Sequence, residues 1–374
     1  MQYRKFGQVD FEVSALGFGA MRFPTKDDDS SNIIEDEAIK MMRYAIDNGV
    51  NYIDTAWPYH QGNSELVVAK ALKDGYREKV KIATKLPSWE IEEEKDMDKY
   101  LNKQLEKLGV DYIDFYLLHA LNKNWWEKYK KLNVFDWIEK ILDEGKIKHI
   151  GFSFHGEYKV FEEIIDAYDW DFCQIQYNYL DEEYQAGKKG MKYAYDKGIA
   201  VIVMEPLRGG TLAVEPPAEV KKIFEESKWD KTPVEWALDW LWDQKEVALV
   251  LSGMSTMEQV EEDLEIAANS GIDKFSDQQR ELIDTIKEKM RGPITCTRCG
   301  YCMPCPNDVD IPQNFFLYNE AEVYDKTEEN KKRYQKMDVK KQAANCVRCG
   351  QCEPACPQNI EIMDRLEEVS AALG

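Results

Sequence analysis

The strongest constraint on the fold is an alternation of short apolar runs with amphipathic stretches along most of the chain. Eight runs have the length and composition of buried strands, among them VNYIDTA, YIDFYLLHA and IAVIVMEPL. The stretches between them repeat apolar residues at helical spacing, and several end in glycine, as helix C-termini often do. Eight strand–helix units over about 270 residues predict an α/β fold, a (β/α)8 barrel of the TIM type, with a short hairpin before its first strand. A doubly wound open sheet is the alternative, but the first turn has no GxGxxG fingerprint.

Cysteine residues are concentrated at the end of the chain. Eight of the nine lie in two runs that mirror each other between residues 296 and 356. The second run reads C-x2-C-x2-C-x3-C-P, the spacing of bacterial ferredoxins with two iron–sulfur clusters, in which the fourth ligand of each cluster comes from the other run. We therefore expect two [4Fe–4S] clusters, one on Cys296, Cys299, Cys302 and Cys356, the other on Cys346, Cys349, Cys352 and Cys305.

Two structural zinc sites are the alternative interpretation of these cysteines, because zinc also binds CxxC pairs. The spacer between the two runs is long and helix-like, which resembles the α-helical type of ferredoxin. The sequence thus predicts a barrel domain over residues 1–290 and a small α-helical, ferredoxin-like domain over residues 291–374. The ninth cysteine, Cys173, lies in a predicted strand and is expected in the core.

Charge and hydropathy exclude several classes of partner. A formal net charge of -21 argues against nucleic acid, whose phosphates are bound mainly by basic side chains. The apolar runs fall short of the roughly 20 residues of a membrane span, and the N-terminus has no apolar signal-peptide core. We expect a cytoplasmic protein that does not bind membranes, in a reducing, anaerobic cell. The oligomeric state is left open.

Four polar residues stand at the ends of predicted strands, where a barrel builds its active site. They are Asp54 and Tyr59 in YIDTAWPYH, Lys85 in IATKL and His119 in FYLLHA. In this order and at these places the chain resembles the aldo–keto reductase family, over roughly residues 1–285.

The resemblance implies a role for each of the four. A tyrosine is a poor proton donor at neutral pH, because its ordinary pKa is near 10. A neighbouring ammonium lowers that pKa, and a carboxylate keeps the ammonium charged. Tyr59 is then the general acid/base, Lys85 acts on Tyr59 and Asp54 anchors Lys85. His119 would orient the substrate carbonyl.

The same resemblance implies a nicotinamide coenzyme in the second half of the barrel. Ser153 and Gln174 would contact its carboxamide, the segment EPLRGG its pyrophosphate, and SGMSTMEQVEED its adenosine ribose. The expected contacts in full are Gly19, Met21, Ser153, Gln174, Met204, Pro206, Leu207, Arg208, Gly209, Gly253, Met254, Ser255, Gln259 and Asp263.

The chain departs from the family pattern in three places. Phe154 and His155 follow the serine where asparagine is common, and Met204 stands where many members have an aromatic residue. Gln259, Glu262 and Asp263 replace the basic side chains that hold the 2′-phosphate of NADP, which favours NADH and leaves a flavin open. Three tryptophans either line an apolar or cyclic substrate or pack a loop: Trp57, Trp125 and Trp126.

The expected function is an oxidoreductase that reduces a small carbonyl compound, or oxidises an alcohol, with NAD(P)H and carries two clusters for one-electron transfer. Because clusters pass single electrons and nicotinamide passes pairs, a flavin or a partner would have to join them. The alternative is a flavin- or ferredoxin-linked electron-transfer protein whose barrel binds a ligand without ordinary carbonyl reduction. The basic run KKRYQKMDVKK at residues 331–341 would suit an acidic ferredoxin, or it is a solvated helix face.

Overall fold

A computed structural model describes residues 1–27, 29–290 and 292–374. Two short strands form an antiparallel hairpin, β1 (Tyr3–Lys5) and β2 (Glu12–Ser14). Eight further strands pair in parallel, each with the next along the chain, and the last returns to the first. They are β3 (Leu16–Gly19), β4 (Tyr52–Asp54), β5 (Lys81–Leu86), β6 (Ile113–Leu121), β7 (Ile147–Phe154), β8 (Phe172–Gln176), β9 (Ala200–Met204) and β10 (Val247–Ser252). The predicted closed barrel and hairpin are confirmed.

Helices follow most of the barrel strands and continue to the end of the chain. They are α1 (Glu35–Asp47), α2 (Ser64–Ala71), α3 (Glu94–Leu108), α4 (Lys123–Lys131), α5 (Val134–Asp143), α6 (Tyr158–Ala167), α7 (Gly187–Asp196), α8 (Ala218–Glu226), α9 (Pro233–Trp242), α10 (Met257–Asn269), α11 (Asp277–Met290), α12 (Ile311–Val323), α13 (Thr327–Lys336) and α14 (Ile362–Leu373). None of the described helices has the length and hydropathy of a membrane span.

The hairpin closes the N-terminal end of the barrel with an aromatic plug. The ring of Phe6 lies 4.9 Å from that of Phe115 and 5.7 Å from that of Phe172, centroid to centroid, and all three are buried. Gly7 follows with φ +57°, and a Cβ there would stand 2.6 Å from the Gly198 carbonyl oxygen, so the close approach requires glycine. The opposite end, at the C-termini of the strands, is left for a site.

The chain divides into two compact units. The first contains residues 1–206 and 238–274, and the second contains residues 207–237 and 275–374. The predicted ferredoxin-like domain therefore lies within the second unit, together with α8 and α11. The predicted boundary at residue 290 stays a prediction.

The core of the second unit is helical and carries both cysteine runs. Phe315, Tyr334 and Leu366 come from α12, α13 and α14 and are buried together, with six of the cysteines packed against this core. Asn314 ties the segment before the second run to α12, since its amide donates to the Lys341 carbonyl at 2.8 Å. The expected small α-helical domain at the C-terminus is present.

Candidate functional site

The carboxyl ends of three neighbouring strands carry the polar residues expected from the sequence. Asp54 ends β4, Lys85 lies in β5 and His119 lies in β6, while Tyr59 begins the turn after β4. Parallel pairing places these ends on one rim of the barrel. All four side chains are buried, and Lys85 is 0% exposed.

Lys85 is the centre of this group. Its ammonium donates to Asp54 Oδ1 at 2.6 Å, to the Thr55 carbonyl at 2.9 Å and to the Tyr59 hydroxyl at 3.3 Å. An ammonium has three N–H donors, so these three acceptors use its full capacity. The His119 ring lies edge-on to the Tyr59 ring with 6.2 Å between centroids. The structure thus brings all four residues together.

Burial controls the protonation of these groups. Burial lowers the pKa of Lys85 and raises the pKa of Asp54, because it removes the hydration that favours the charged form of each group. The attraction between the ammonium and the carboxylate opposes both changes. Burial also lowers the pKa of His119 well below its usual value, and the nearby Lys85 charge lowers it further. The imidazole is therefore neutral at neutral pH and able to donate an N–H hydrogen bond.

Tyr59 is positioned by a strained turn. His60 and Gln61 both have φ +53°, in the left-handed region that side chains other than glycine rarely adopt. The His60 ring compensates this strain, because its Nε2 accepts from the Phe23 N–H and its Nδ1 hydrogen-bonds the Ser30 carbonyl oxygen. The ring also stacks on Phe23. His60, which follows Tyr59 in the chain, therefore supports the turn rather than the chemistry.

An irregularity in β6 directs His119 into the site. The pairing of β6 with β7 shifts register between Leu118 and Leu121, and Ala120 has φ +54°. Such bulges bend a strand and re-aim one side chain. The Ala120 N–H is satisfied by the Ser153 hydroxyl oxygen at 2.7 Å. Ser153 thus accepts one hydrogen bond and keeps its own hydroxyl proton to donate.

Gln174 has a buried polar atom that a bound group could satisfy. It pairs in register with Ser153 on the neighbouring strand and is 2% exposed, and its buried Oε1 has no hydrogen-bond partner in the described part of the chain. Its Nε2 lies 3.5 Å from the Met204 sulfur. An unsatisfied buried amide oxygen is costly unless a ligand completes it, and a carboxamide NH2 fits that requirement.

The loop after β10 carries the residues expected at the adenosine end. Ser255 donates its hydroxyl to the Arg22 carbonyl at 2.8 Å, and its N–H donates to Gln259 Oε1 at 2.7 Å. Asp263 is 3% exposed and hydrogen-bonded by Ser252, and burial raises its pKa to about 7. Of the other expected contacts, Gly19 pairs in register with Asp54, Met21 follows in the next turn, Met254 is buried, and Pro206 ends the first stretch of the first unit.

The expected pyrophosphate segment belongs to the second unit from Leu207 onward. Arg208–Gly210 forms one turn of 3-10 helix after Leu207, and the Arg208 side chain is buried. Gly209 has φ +62°, and a Cβ there would come within 2.1 Å of the Thr297 carbonyl oxygen. This segment therefore packs directly against the first cysteine run.

The cysteines come together across the two runs. Burial raises the pKa of the Cys302 thiol, and three neighbouring cysteines raise it further: Cys299, Cys296 and Cys356. Burial likewise raises the pKa of Cys352 to about 11, with smaller effects from Cys346 and Cys305 among its neighbours. Each group joins residues of both runs, in the crossed arrangement expected of two clusters. In the described part of the chain, no three of these side chains converge as ligands of a single ion do.

A cavity of about 120 Å³ lies beside the second group. Its lining includes all four cysteines expected on one cluster: Cys305, Cys346, Cys349 and Cys352. Apolar side chains supply much of the rest, including Ile311 and Leu366. Four thiols around a small, largely apolar cavity fit an iron–sulfur cubane, whose irons are held by cysteine thiolates.

Comparison with known families assigns both parts of the chain. The model of the aldo/keto reductase family matches residues 15–288, well over half of the chain. The chain belongs to the aldo/keto reductase family. A model described as a 4Fe-4S dicluster domain matches residues 295–361, which include all eight clustered cysteines.

Relatives of this aldo/keto reductase include plant and bacterial proteins. The probable aldo-keto reductase 1 of Glycine max is 34% identical over 157 residues, or 40% of this chain and only 44% of the soybean protein. The uncharacterized oxidoreductase YqkF of Bacillus subtilis (strain 168) is 26% identical over 298 residues, or 71% of this chain and 91% of that protein.

Solved structures agree with the barrel assignment. The holo form of aldo-keto reductase AKR11C1 from Bacillus halodurans superposes with a TM-score of 0.65 at 26% identity, over 76% of this chain and 96% of that one. The aldo/keto reductase of Klebsiella pneumoniae in complex with NADP and acetate reaches 0.62 at 20% identity, over 76% and 95%. At this lower identity the second likeness shows the fold alone.

Two residues of the reductase site escape sequence reasoning. The Arg22 side chain packs over Gly253, with its Cγ 2.8 Å from where a Cβ would lie, and so brings a cation to the loop after β10. The Trp89 ring lies 5.1 Å from the His119 ring and adds an aromatic wall. Neither residue stands at the end of a strand, where site residues were expected from the sequence. The sequence shows only that a basic and an aromatic residue each follow a strand by a few positions.

The tryptophans named from the sequence have different environments. Trp126 is buried and donates its indole N–H to Glu163, which makes it a packing residue. Trp57 is partly exposed and carries the Lys107 ammonium 3.8 Å above its ring. Lys107 also contacts Glu65 Oε2 at 3.4 Å, a buried carboxylate whose other oxygen accepts from Thr84 and Gln104. This polar network supports the strand that carries Lys85.

Proposed function

We propose that this protein reduces a small carbonyl compound, or oxidises the corresponding alcohol, by hydride transfer with NAD(P)H in the barrel, and carries two [4Fe–4S] clusters in its C-terminal domain. One observation carries the first part: a fully buried ammonium, Lys85 Nζ, hydrogen-bonded to both Asp54 and Tyr59. That contact supplies the chemistry that a phenol needs to act as a proton donor near neutral pH.

The residues of the chain divide the work around the reacting carbonyl. A bound nicotinamide supplies or accepts the hydride. Tyr59 donates the proton to the carbonyl oxygen, and the Lys85 ammonium stabilises the phenolate that remains. Asp54 keeps that ammonium charged although Lys85 is buried. The neutral His119 donates its N–H to the same oxygen and orients it.

Gln174 and Ser153 support the assignment of the nicotinamide position. The unpartnered Gln174 Oε1 would accept from the carboxamide NH2, and the Ser153 hydroxyl would donate to the carboxamide oxygen. Ser153 lies on β7 and Gln174 on the neighbouring β8, so the two side chains could hold one carboxamide together. The reduced substrate would then lie among Trp57, Trp89 and His119.

The form of the coenzyme depends on charges near the loop after β10. Glu262 would repel a 2′-phosphate and Gln259 has no positive charge to hold one, which supports our proposal of NADH. Asp263 no longer supports it, because its carboxyl is buried against Ser252. Arg22 would attract a 2′-phosphate. Comparison of kcat/KM for NADH and NADPH in the native protein and in Arg22→Ala decides between these effects.

The eight clustered cysteines would hold the two clusters in the crossed arrangement described above. Iron–sulfur clusters supply one-electron transfer when bound. Hydride chemistry and single-electron chemistry meet only through a carrier that divides an electron pair, such as a flavin, or through a separate redox partner. A small-molecule substrate and a one-electron partner protein are therefore both part of the proposal.

A cofactor inventory tests the cluster part of the proposal. Protein purified without oxygen should contain iron and sulfide in equal amounts, near eight of each per chain for two cubanes. Extraction and chromatography of the same sample identify bound flavin or nicotinamide. Zinc in place of iron would contradict the proposal.

Matched tyrosine variants test the barrel part. Tyr59→Phe should lower NAD(P)H oxidation with a panel of aldehydes by roughly 10²- to 10⁴-fold, the usual contribution of a general acid. Tyr52→Phe is the control, since Tyr52 lies on β4, the strand that leads to Tyr59, and its buried hydroxyl has no hydrogen-bond partner among the described residues. Equal activity of the two variants would disprove the role of Tyr59.

A further inference from the structure

The basic run at residues 331–341 is divided in two by the structure. Helix α13 ends at Lys336, and Val339–Lys341 forms a separate turn of 3-10 helix. The next turn, Ala343–Asn345, leads into Cys346. The Asn345 side-chain amide donates to the Val339 carbonyl oxygen and so ties the two turns together. The second half of the run is therefore part of the segment that enters the second cysteine run.

Lys340 and Lys341 form no ion pair with the residues that the structure describes, although Asp338 caps their turn by accepting from the Lys340 N–H. Lys340 and Lys341 are exposed. The ion pairs of this region use other cations, joining Lys331 to Glu328, Arg333 to Glu320, and Arg348 to Asp364 and Glu367. Residues 331–341 contain six basic residues and one acidic residue, Asp338, so this stretch has a local excess of positive charge on a chain whose net charge is -21.

The same segment exposes apolar side chains and one cluster ligand. Val339 is 68% exposed and Val347 is 62% exposed. Cys349 is the one exposed cysteine among the nine, all of which are described, and it lines the cavity of the second group. Lys341 is five residues from Cys346, so at most about 18 Å of chain separates them. Protein interfaces commonly combine an apolar centre with a polar rim, an arrangement that these valines and lysines could supply.

We propose that Val339, Lys340, Lys341, Val347 and Cys349 form a docking surface for an acidic one-electron carrier protein. The inference rests on the proposed function, in which Cys349 holds one cluster. An acidic carrier is repelled by the surface of this protein in general and attracted to the two lysines, so it arrives at the exposed edge of that cluster. One electron then leaves the reduced carrier and enters the cluster, without transfer of a proton or a group.

Charge reversal at the docking surface tests this inference. The variant Lys340→Glu/Lys341→Glu and the holoprotein are each mixed rapidly with a reduced, acidic [2Fe–2S] ferredoxin, whose oxidation is followed by its visible circular dichroism. The second-order rate constant should fall roughly tenfold or more at low ionic strength, and the difference should shrink as salt is added. The control is Lys188→Glu/Lys189→Glu, an adjacent exposed pair on α7 with the same change in net charge.

Dithionite, a small reductant that needs no docking, separates the possible results. The inference is supported if ferredoxin reduces the docking variant alone more slowly, while dithionite reduces all three proteins at the same rate. Equal rates with ferredoxin in the docking variant, the control and the native chain overturn it and leave the clusters intact. Protein that shows no cluster absorbance overturns the proposed function and this inference together.

Discussion

Replacement of Lys85 by methionine isolates the effect of the ammonium on Tyr59. The two polar atoms are 3.3 Å apart, and at an effective dielectric constant near 20 an ammonium and a phenolate at that distance attract by about 5 kcal/mol. The Asp54 carboxylate, 2.6 Å from the same ammonium, offsets part of this attraction. A loss of about 4 kcal/mol in the transition state corresponds to a fall of about 10³-fold in kcat/KM.

The single substitution also disturbs the fold, so a second variant is needed. Lys85→Met leaves the buried Asp54 carboxyl without its cation, and breaking a buried ion pair costs about 3–5 kcal/mol of the free energy of unfolding. Lys85→Met/Asp54→Asn removes both charges and should recover most of that stability. It should not recover activity, because the phenolate still has no cation beside it.

Steady-state oxidation of NAD(P)H with the best aldehyde of a panel, from neutral to alkaline pH, measures the effect. Thermal unfolding by circular dichroism checks that each variant is folded. Without the ammonium the phenolate is less stable, so the alkaline limb of the pH profile should move to higher pH. A folded double variant with kcat/KM within about tenfold of the native value and an unchanged pH profile would refute the role of Lys85.

Three further predictions follow from other parts of the structure. Gln174→Ala should raise the KM for the nicotinamide coenzyme by up to about tenfold with little change in kcat, as expected for one lost hydrogen-bonding group; an unchanged KM would contradict the placement. Cys305→Ser and Cys349→Ser should lose the same cluster and about half the iron, and Cys356→Ser the other, as read by low-temperature electron paramagnetic resonance; matching spectra for Cys305→Ser and Cys356→Ser would exclude the crossed arrangement. Burial lowers the pKa of His155 to about 4 in the folded protein. As the pH falls below 6.5, this histidine is therefore protonated in the unfolded chain before it is protonated in the folded one, and the free energy of unfolding declines down to about pH 4. Between pH 7 and 5 this costs about 2 kcal/mol in urea unfolding, and His155→Gln should show a correspondingly smaller decline; an equal decline would disprove it.

The barrel could be predicted because its signal is local. A strand buried on both faces must be apolar along its whole length, as in β9, Ala200–Met204, and the period of a helix is visible within a few turns. The order of the strands then follows from the closed topology. Asp54, Lys85 and His119 could be assigned to one rim for that reason alone, since each stands at a strand end.

The cysteine domain was equally accessible from sequence, because thiolate spacing is dictated by the cluster that the thiolates would bind. The basic run at residues 331–341 was not. As a pattern it is one stretch of charge, but the end of α13 at Lys336 separates the helix from the exposed turn beside the second cysteine run.

Tertiary structure decided the features that depend on contacts between distant residues. Arg22 contacts Gly253 because β10 pairs with β3 to close the barrel. The two residues are more than 200 positions apart, and no sequence pattern predicts their contact. Asp263 turns inward to Ser252, although its place in an acidic stretch suggested a nucleotide contact. The bulge at Ala120 aims His119, and the left-handed turn at His60 aims Tyr59. Composition and periodicity determine which segments are buried, whereas the direction of a single side chain depends on which neighbours satisfy the backbone around it.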